Sequence, residues 1–157
     1  MHQHVPSGSA MAGIIKTLLD SRKIERYLVG VVDVEAEWDL FGPERGDVVP
    51  RSIALEATYC DHVLIKYELW DDEPPAMGWD ESWSGAIHLP SGRMHAISCH
   101  SGESDYYEEF ELGHPGRQWQ FRVHRKLLGH EDFTADIVGF ALFKLQFWPS
   151  AGAPILS

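Results

Sequence analysis

The sequence predicts an all-β fold: an antiparallel β-sandwich or jelly-roll-like barrel of about eight strands, with a short N-terminal helix. Three observations carry that reading. Apolar and polar residues alternate at a period of two along most of the 157 residues. Turn-forming runs such as Pro90-Ser91-Gly92 and Gly113-His114-Pro115-Gly116 punctuate the alternation at short intervals. Helical spacing occurs at the N-terminus alone.

The elements follow in order. Between Ala12 and Arg26, the spacing of Ile14, Ile15, Leu18, Leu19 and Ile24 suits one face of a short helix. From Tyr27 the rhythm becomes two. Leu28, Val32, Val34, Ala36 and Trp38 then share the inward face of a strand that ends near Phe41-Gly42-Pro43. Ile53, Leu55, Ala57 and Tyr59 repeat the pattern, as do Val63, Ile65, Tyr67 and Leu69, and the Cys60-Asp61 step between them reads as a hairpin turn. Asp71 to Gly78, DDEPPAMG, is a loop. Trp83, Gly85, Ile87 and Leu89 form the inward face of the next strand, and Arg93 to Cys99 is its return. Ser101 to Asp105 is a polar loop. Beyond it Tyr106, Phe110 and Leu112 face inward, with Tyr107, Glu109 and Glu111 opposite. Trp119, Phe121 and Val123 face the core of the following strand, and Leu127 to Asp136 is a loop. Ile137 to Trp148 is apolar on both faces except at Lys144 and Gln146, the mark of a central strand, and Pro149 stops it. One domain is expected over residues 12–149, preceded by a leader or tag-like segment at 1–11 and followed by a disordered tail at 150–157.

Composition agrees. Hydrophobic residues make up 44% and charged residues 24%, ordinary globular values. A chain of this size buries roughly two thirds of its unfolded surface and needs no metal or disulfide staple. No run of 18 apolar residues is present to cross a membrane as a helix. Cys60 and Cys99 form no C-x-x-C pair and read as reduced core thiols. With no basic, apolar secretory leader in view, the expected location is cytoplasmic.

Charge is the most informative feature. The net charge is −11. From Glu68 to Glu111 there are eleven acids and a single base, Arg93, so these 44 residues carry −10. A field of that sign repels nucleic acid and anionic lipid and steers in cationic partners. Trp70, Trp79 and Trp83 bracket the acidic loop. Large aromatic anchors within a ring of charge suit a protein-binding surface. Of the three, Trp83 is expected in the core and Trp79 partly exposed.

Enzymatic signatures are weak. The nucleophile-elbow, P-loop and dinucleotide glycine patterns are absent. Glu108 and Glu109 are adjacent in a strand and point to opposite faces, so they cannot flank one substrate. His88 would approach His95 around the Pro90-Gly92 turn, with His100 and His124 nearby, but no strand carries a metal-binding H-x-H or H-x-x-E pattern.

Three segments carry a resemblance: Trp83 to Gly92, WSGAIHLPSG; Gly116 to His124, GRQWQFRVH; and Phe143 to Pro149, FKLQFWP. They resemble a group of mostly uncharacterised bacterial proteins common in actinobacteria, which in turn is similar to the ComJ family, inhibitors of a competence-associated DNA-entry nuclease. The resemblance spans roughly Tyr27 to Pro149 and implies a β-sandwich with an immunity or nuclease-inhibitor role. It brings no catalytic residues. The absence of asparagine and the excess of arginine over lysine fit a high-GC bacterial source.

The sequence therefore reads as a non-enzymatic, acidic, immunity-type or nuclease-inhibitor-like protein. It engages a cationic partner, such as a nuclease or toxin, as a monomer or homodimer, without binding nucleic acid or membrane. The expected surface comprises Trp70, Asp71, Asp72, Glu73, Trp79, Asp80, Glu81, Glu103, Asp105, Glu109 and Glu111, with no catalytic residue, metal or cofactor assigned. Two alternatives stand beside it. One is a small-ligand or metal-dependent β-barrel enzyme with Tyr106, Trp119, His95 and His124 lining a cavity; the other is a structural adaptor subunit of a bacterial assembly.

Overall fold

The computed structural model describes residues 12–24, 28–35, 52–58, 60–79, 81–100, 103–128 and 139–150, with side chains of 99, 100, 103 and 104 excepted. The expected leader, the expected loop after Leu128 and residues 151–157 lie outside them.

Among the described residues, ten strands form two stacked sheets. They are β1 (Ile14–Lys23), β2 (Leu28–Asp33), β3 (Ser52–Glu56), β4 (His62–Trp70), β5 (Glu81–Leu89), β6 (Arg93–His100), β7 (Glu103–Tyr106), β8 (Phe110–Glu111), β9 (Arg117–Leu128) and β10 (Phe140–Pro149). The first sheet has the order β1-β4-β10-β9-β5; the second runs β3-β2-β6-β7, with β8 also paired to β6. All pairs are antiparallel except β4 with β10. The sandwich read from the sequence is the fold, and β10 is central as its two-sided apolar pattern demands.

The core lies between the sheets. Alternate residues of β4 (Val63, Ile65, Tyr67, Leu69), β9 (Trp119, Phe121, Val123) and β10 (Ala141, Phe143, Leu145, Phe147) meet Val29, Val31, Leu55, Met94, Ala96 and Phe110 from the second sheet. Burial on this scale is the main favourable term in folding.

Four expectations are corrected. The segment given to an N-terminal helix is strand β1. Its apolar pairs, Ile14-Ile15 and Leu18-Leu19, fit either period, and β4 supplies an edge along its whole length. In β2, Val29 and Val31 enter the core while Val32 is buried on the outer face, because the run LVGVV is apolar on both sides. Tyr107 faces inward and Tyr106 is exposed, the reverse of the expectation. The backbone leaves the strand conformation at residues 107–109, and one irregular step exchanges the faces. Finally, the turns at Cys60-Asp61 and Pro90-Gly92 are not hairpins. β3 and β4 belong to different sheets, as do β5 and β6, so each turn crosses the sandwich.

The second crossing is tightly built. Gly92 has φ +77°, and a Cβ there would sit 2.7 Å from the Gly113 carbonyl oxygen. Gly92 O accepts from Leu112 N at 2.8 Å and Gly113 N at 3.1 Å, locking this turn to the one before β9. Fully buried Asp33 anchors it from β2, accepting from Ser91 N at 2.8 Å and Ser91 Oγ at 2.9 Å.

Candidate functional site

The acidic run from Glu68 to Glu111 divides between the two sheets. Its first part closes over the outer face of the first sheet. After β4, residues 71–79 pass as a strap above β10 and β9 to reach β5. Pro74 is buried there, its carbonyl accepting from Arg122 Nη1 at 3.0 Å, while Arg122 Nη2 pairs with Glu73 Oε2 at 2.8 Å. Arg122 also lies 5.4 Å from the Trp148 ring. Lys144 Nζ sits 5.3 Å from the Trp79 ring centroid, a cation–π contact, and Trp79 lies 6.0 Å from the His124 ring.

Beneath the strap is a buried polar network that the sequence did not announce. Glu68 Oε1 accepts from Trp70 Nε1 at 2.9 Å and from Gln146 Nε2 at 3.0 Å. Its other oxygen faces Lys66 Nζ at 3.2 Å and Lys144 Nζ at 3.9 Å. Burial alone would raise the Glu68 pKa; the Gln146 and Trp70 hydrogen bonds and the two ammonium groups outweigh it and hold the carboxyl below its ordinary range. Because Gln146 gives its amide N–H to Glu68, its oxygen faces His124 and accepts from Nε2 at 2.9 Å. His124 therefore carries a proton on Nε2, and Nδ1 has no partner among the described residues. Burial lowers its pKa; the Gln146 hydrogen bond opposes that, and Arg122 and Lys144 reinforce it. The signal for this network was the break in apolarity at Lys144 and Gln146 on an otherwise apolar central strand.

The second part of the run lies along the edge of the other sheet. β7 and β8 pair in succession with the same side of β6. Asp105, Glu108, Glu109 and Glu111 follow this edge; Tyr106, on the outer face, is 60% exposed, and half-buried Asp105 lies on the inward face opposite Ser98. Arg93 Nη1 pairs with Glu109 Oε1 at 2.9 Å, and Nη2 lies 3.9 Å from Glu35. Asp105, Glu108 and Glu111 have no ion-pair partner among the described residues. The edge is firmly backed: Tyr107 turns inward and its hydroxyl donates to Ser98 Oγ at 2.9 Å. Burial, partly offset by that hydrogen bond, pushes the phenol up to about 12. Tyr106 lies 5.4 Å from the His95 ring. Burial pulls His95 down in pKa, against the raising effect of Glu109 and Asp33.

The expected surface residues thus fall into two groups. Trp70, Asp71, Asp72, Glu73, Trp79 and Glu81 attend the first sheet. Of these, Trp70 serves the buried network, Asp71 binds Gly13, Glu73 is held by Arg122 and Glu81 by Arg125. Asp105, Glu109 and Glu111 attend the second sheet, as does the backbone of Glu103; Asp80 lies outside the described residues. Trp79, expected partly exposed, is half-buried at the end of the strap, whereas Trp83, expected in the core, is 37% exposed near the end of edge strand β5.

The residues considered for a catalytic or metal site do not converge. His88 and His95 stand on different sheets, since the turn between them crosses the sandwich. Tyr106 and His95 lie on the outer face of the second sheet, Trp119 is in the core, and His124 is on the outer face of the first sheet. No cluster of three metal-ligating side chains occurs among the described residues.

No family model matches this chain. No curated protein matches it either. Solved structures resemble it in fold. One is ComJ from Bacillus subtilis, inhibitor of the DNA degrading activity of NucA, at 13% identity and a TM-score of 0.53 over 87% of this chain and 98% of that one. Another is the product of crocagin biosynthetic gene J, at 15% identity and a TM-score of 0.49 over 87% and 99%. The likeness to ComJ read from sequence motifs is thus present in three dimensions as a shared fold.

Proposed function

We propose that this protein is a non-enzymatic binding module of the inhibitor or immunity type, whose acidic edge engages a cationic protein partner in a reducing, cytoplasmic setting. The observation that carries the reading is the β7–β8 edge. There Asp105, Glu108, Glu109 and Glu111 lie along the same edge as an exposed tyrosine, and Arg93 is the one base within the acidic run. Tyrosine is among the commonest interface hot spots, and carboxylates around it steer a basic partner and fix its orientation. The shared fold with ComJ, an inhibitor of a DNA-degrading protein, supports a nuclease as the class of partner. Carboxylates arrayed along a strand edge can occupy a phosphate-binding groove in place of phosphates. Close charge pairs in complexes of this kind contribute couplings of about 1.5–7 kcal/mol. The acids on the strap, Asp71 and Asp72, extend the negative field; Glu73 and Glu81 are already neutralised by arginines.

The test begins by capturing a cationic protein on the immobilised chain and re-forming the complex from purified components. A DNA-degradation assay then reads inhibition. Affinity should fall steeply with salt, and replacing Asp105, Glu108, Glu109 and Glu111 together by Ala should weaken binding and flatten that dependence. Unchanged affinity in the fourfold variant would overturn the proposal.

A further inference from the structure

Among the described residues, strand β1 has an open edge. Exposed strand edges are ordinarily kept short or covered, because their unpaired N–H and C=O groups template another strand. β1 runs ten residues and pairs with β4 on one side, and no described strand lies on its other side. Its side chains add to the exposure: Ile14, Ile15 and Leu19 are 48%, 62% and 65% exposed. Its charges are sorted by position. At the N-terminal end Asp71 grips Gly13, accepting from Gly13 N at 2.9 Å and donating its own N–H to Gly13 O at 3.1 Å, and exposed Asp72 follows. At the C-terminal end stand Arg22 and Lys23, which with His62 and Phe140 line a cleft of about 340 Å³. On its outward face the edge has an acidic end at Asp71 and Asp72, exposed Ile15 and Leu19 in its middle and a basic end at Lys23.

We propose that β1 pairs antiparallel with β1 of a second copy of this chain, joining two five-stranded sheets into one. An antiparallel copy sets acidic end against basic end, and two-fold symmetry does so twice. The charges also select a register. Centring the two-fold on Leu18 places Thr17 opposite Leu19, brings the two Leu19 side chains together diagonally, and carries Lys23 to the end held by Asp71 and Asp72; Lys16 and Asp20 turn to the second sheet, where Lys16 Nζ donates to Glu111 O at 3.0 Å and Asp20 accepts from Glu108 N at 3.0 Å. Moving the centre to Leu19 places Lys23 opposite Ile15 and takes it away from the end held by Asp71 and Asp72. A parallel copy would align like ends, and a uniformly basic or acidic strand from another protein would be repelled at one end. Charged residues that discourage indiscriminate pairing therefore admit this one partner. The proposal goes beyond the binding role of the β7–β8 edge, which belongs to the other sheet.

Sedimentation of the full chain tests it, with Lys23→Glu, Asp72→Lys and the double variant, all at exposed positions. Wild type should dimerise. Each single swap acts twice across the two-fold and should weaken the dimer about tenfold, and the double variant should restore it. Leu19→Lys should give monomer. Wild type that stays monomeric up to its solubility limit overturns the proposal. So does a dimer indifferent to both swaps, or single-swap losses that the double variant fails to repair.

Discussion

The strap over the first sheet and the β7–β8 edge of the second draw on the same acidic run, yet their carboxylates meet opposite environments. Above β9 and β10 the partners are Arg122, Lys144 and Lys66, so Glu73 and Glu68 are neutralised within the molecule. Along β6 the facing strand supplies Arg93 alone, already engaged by Glu109, and Glu108 and Glu111 are exposed without an ion-pair partner among the described residues. Strand neighbours decide which acids are structural and which are offered to a partner. A net charge counted along the sequence cannot distinguish the two.

The largest effect should come from Glu68→Ala. It removes the acceptor of two buried donors and the counter-charge of two lysines, and breaking a buried ion pair costs about 3–5 kcal/mol. Urea unfolding should register that loss, whereas Glu108→Ala on the exposed edge should change stability by no more than about 0.5 kcal/mol. Equal losses at the two sites would erase the distinction between them.

Tyr106→Ala should reverse the pattern. Stability should barely move, while affinity for the purified cationic partner should fall by about 2 kcal/mol, the scale of an interface hot spot. Trp79→Ala, at the end of the strap, should destabilise the fold and leave affinity intact. Arg122→Ala is a smaller perturbation: losing its bonds to Pro74 O and Glu73 should cost about 1.5–3 kcal/mol before relaxation of the exposed Glu73 end. Limited proteolysis should then find the strap at residues 71–79, which wild type protects.

What could be read beforehand follows a physical division. Alternation in β4 and β9 was legible because each strand meets the core on one face along its length, and β10 because apolar residues on both its faces mark a central strand. β1 was not, since adjacent apolar pairs satisfy both periods and β4 decides between them. The exchange of Tyr106 with Tyr107 depends on an irregular step at residues 107–109 that no period encodes. Turn signals at Pro90-Gly92 located the chain reversal correctly but said nothing about whether the next strand joins the same sheet. The surface acids were visible individually. Their partition was not, because Arg122 and Arg125 lie far along the chain from Glu73 and Glu81.

The finest discrimination is in pH dependence. Burial holds His124 below its ordinary pKa, whereas in the unfolded chain it titrates near 6.5. Between those two values the unfolded state binds more protons, so stability is complete above about pH 6.5 and declines as pH falls toward the folded value. Protonation would add a third cation beside Arg122 and Lys144 under the strap. Glu68 acts in the other acidic window. Its depressed pKa gives stability that is present above the ordinary glutamate range and disappears as pH falls through the folded value. Thermal unfolding should therefore show two successive losses on acidification. His124→Gln should remove part of the earlier one, the rest belonging to His95, which burial shifts in the same direction on the other sheet. A slope near neutrality that is identical in wild type and His124→Gln would mean that His124 is not held neutral by the strap, and that the two faces differ less in their interiors than in their surfaces.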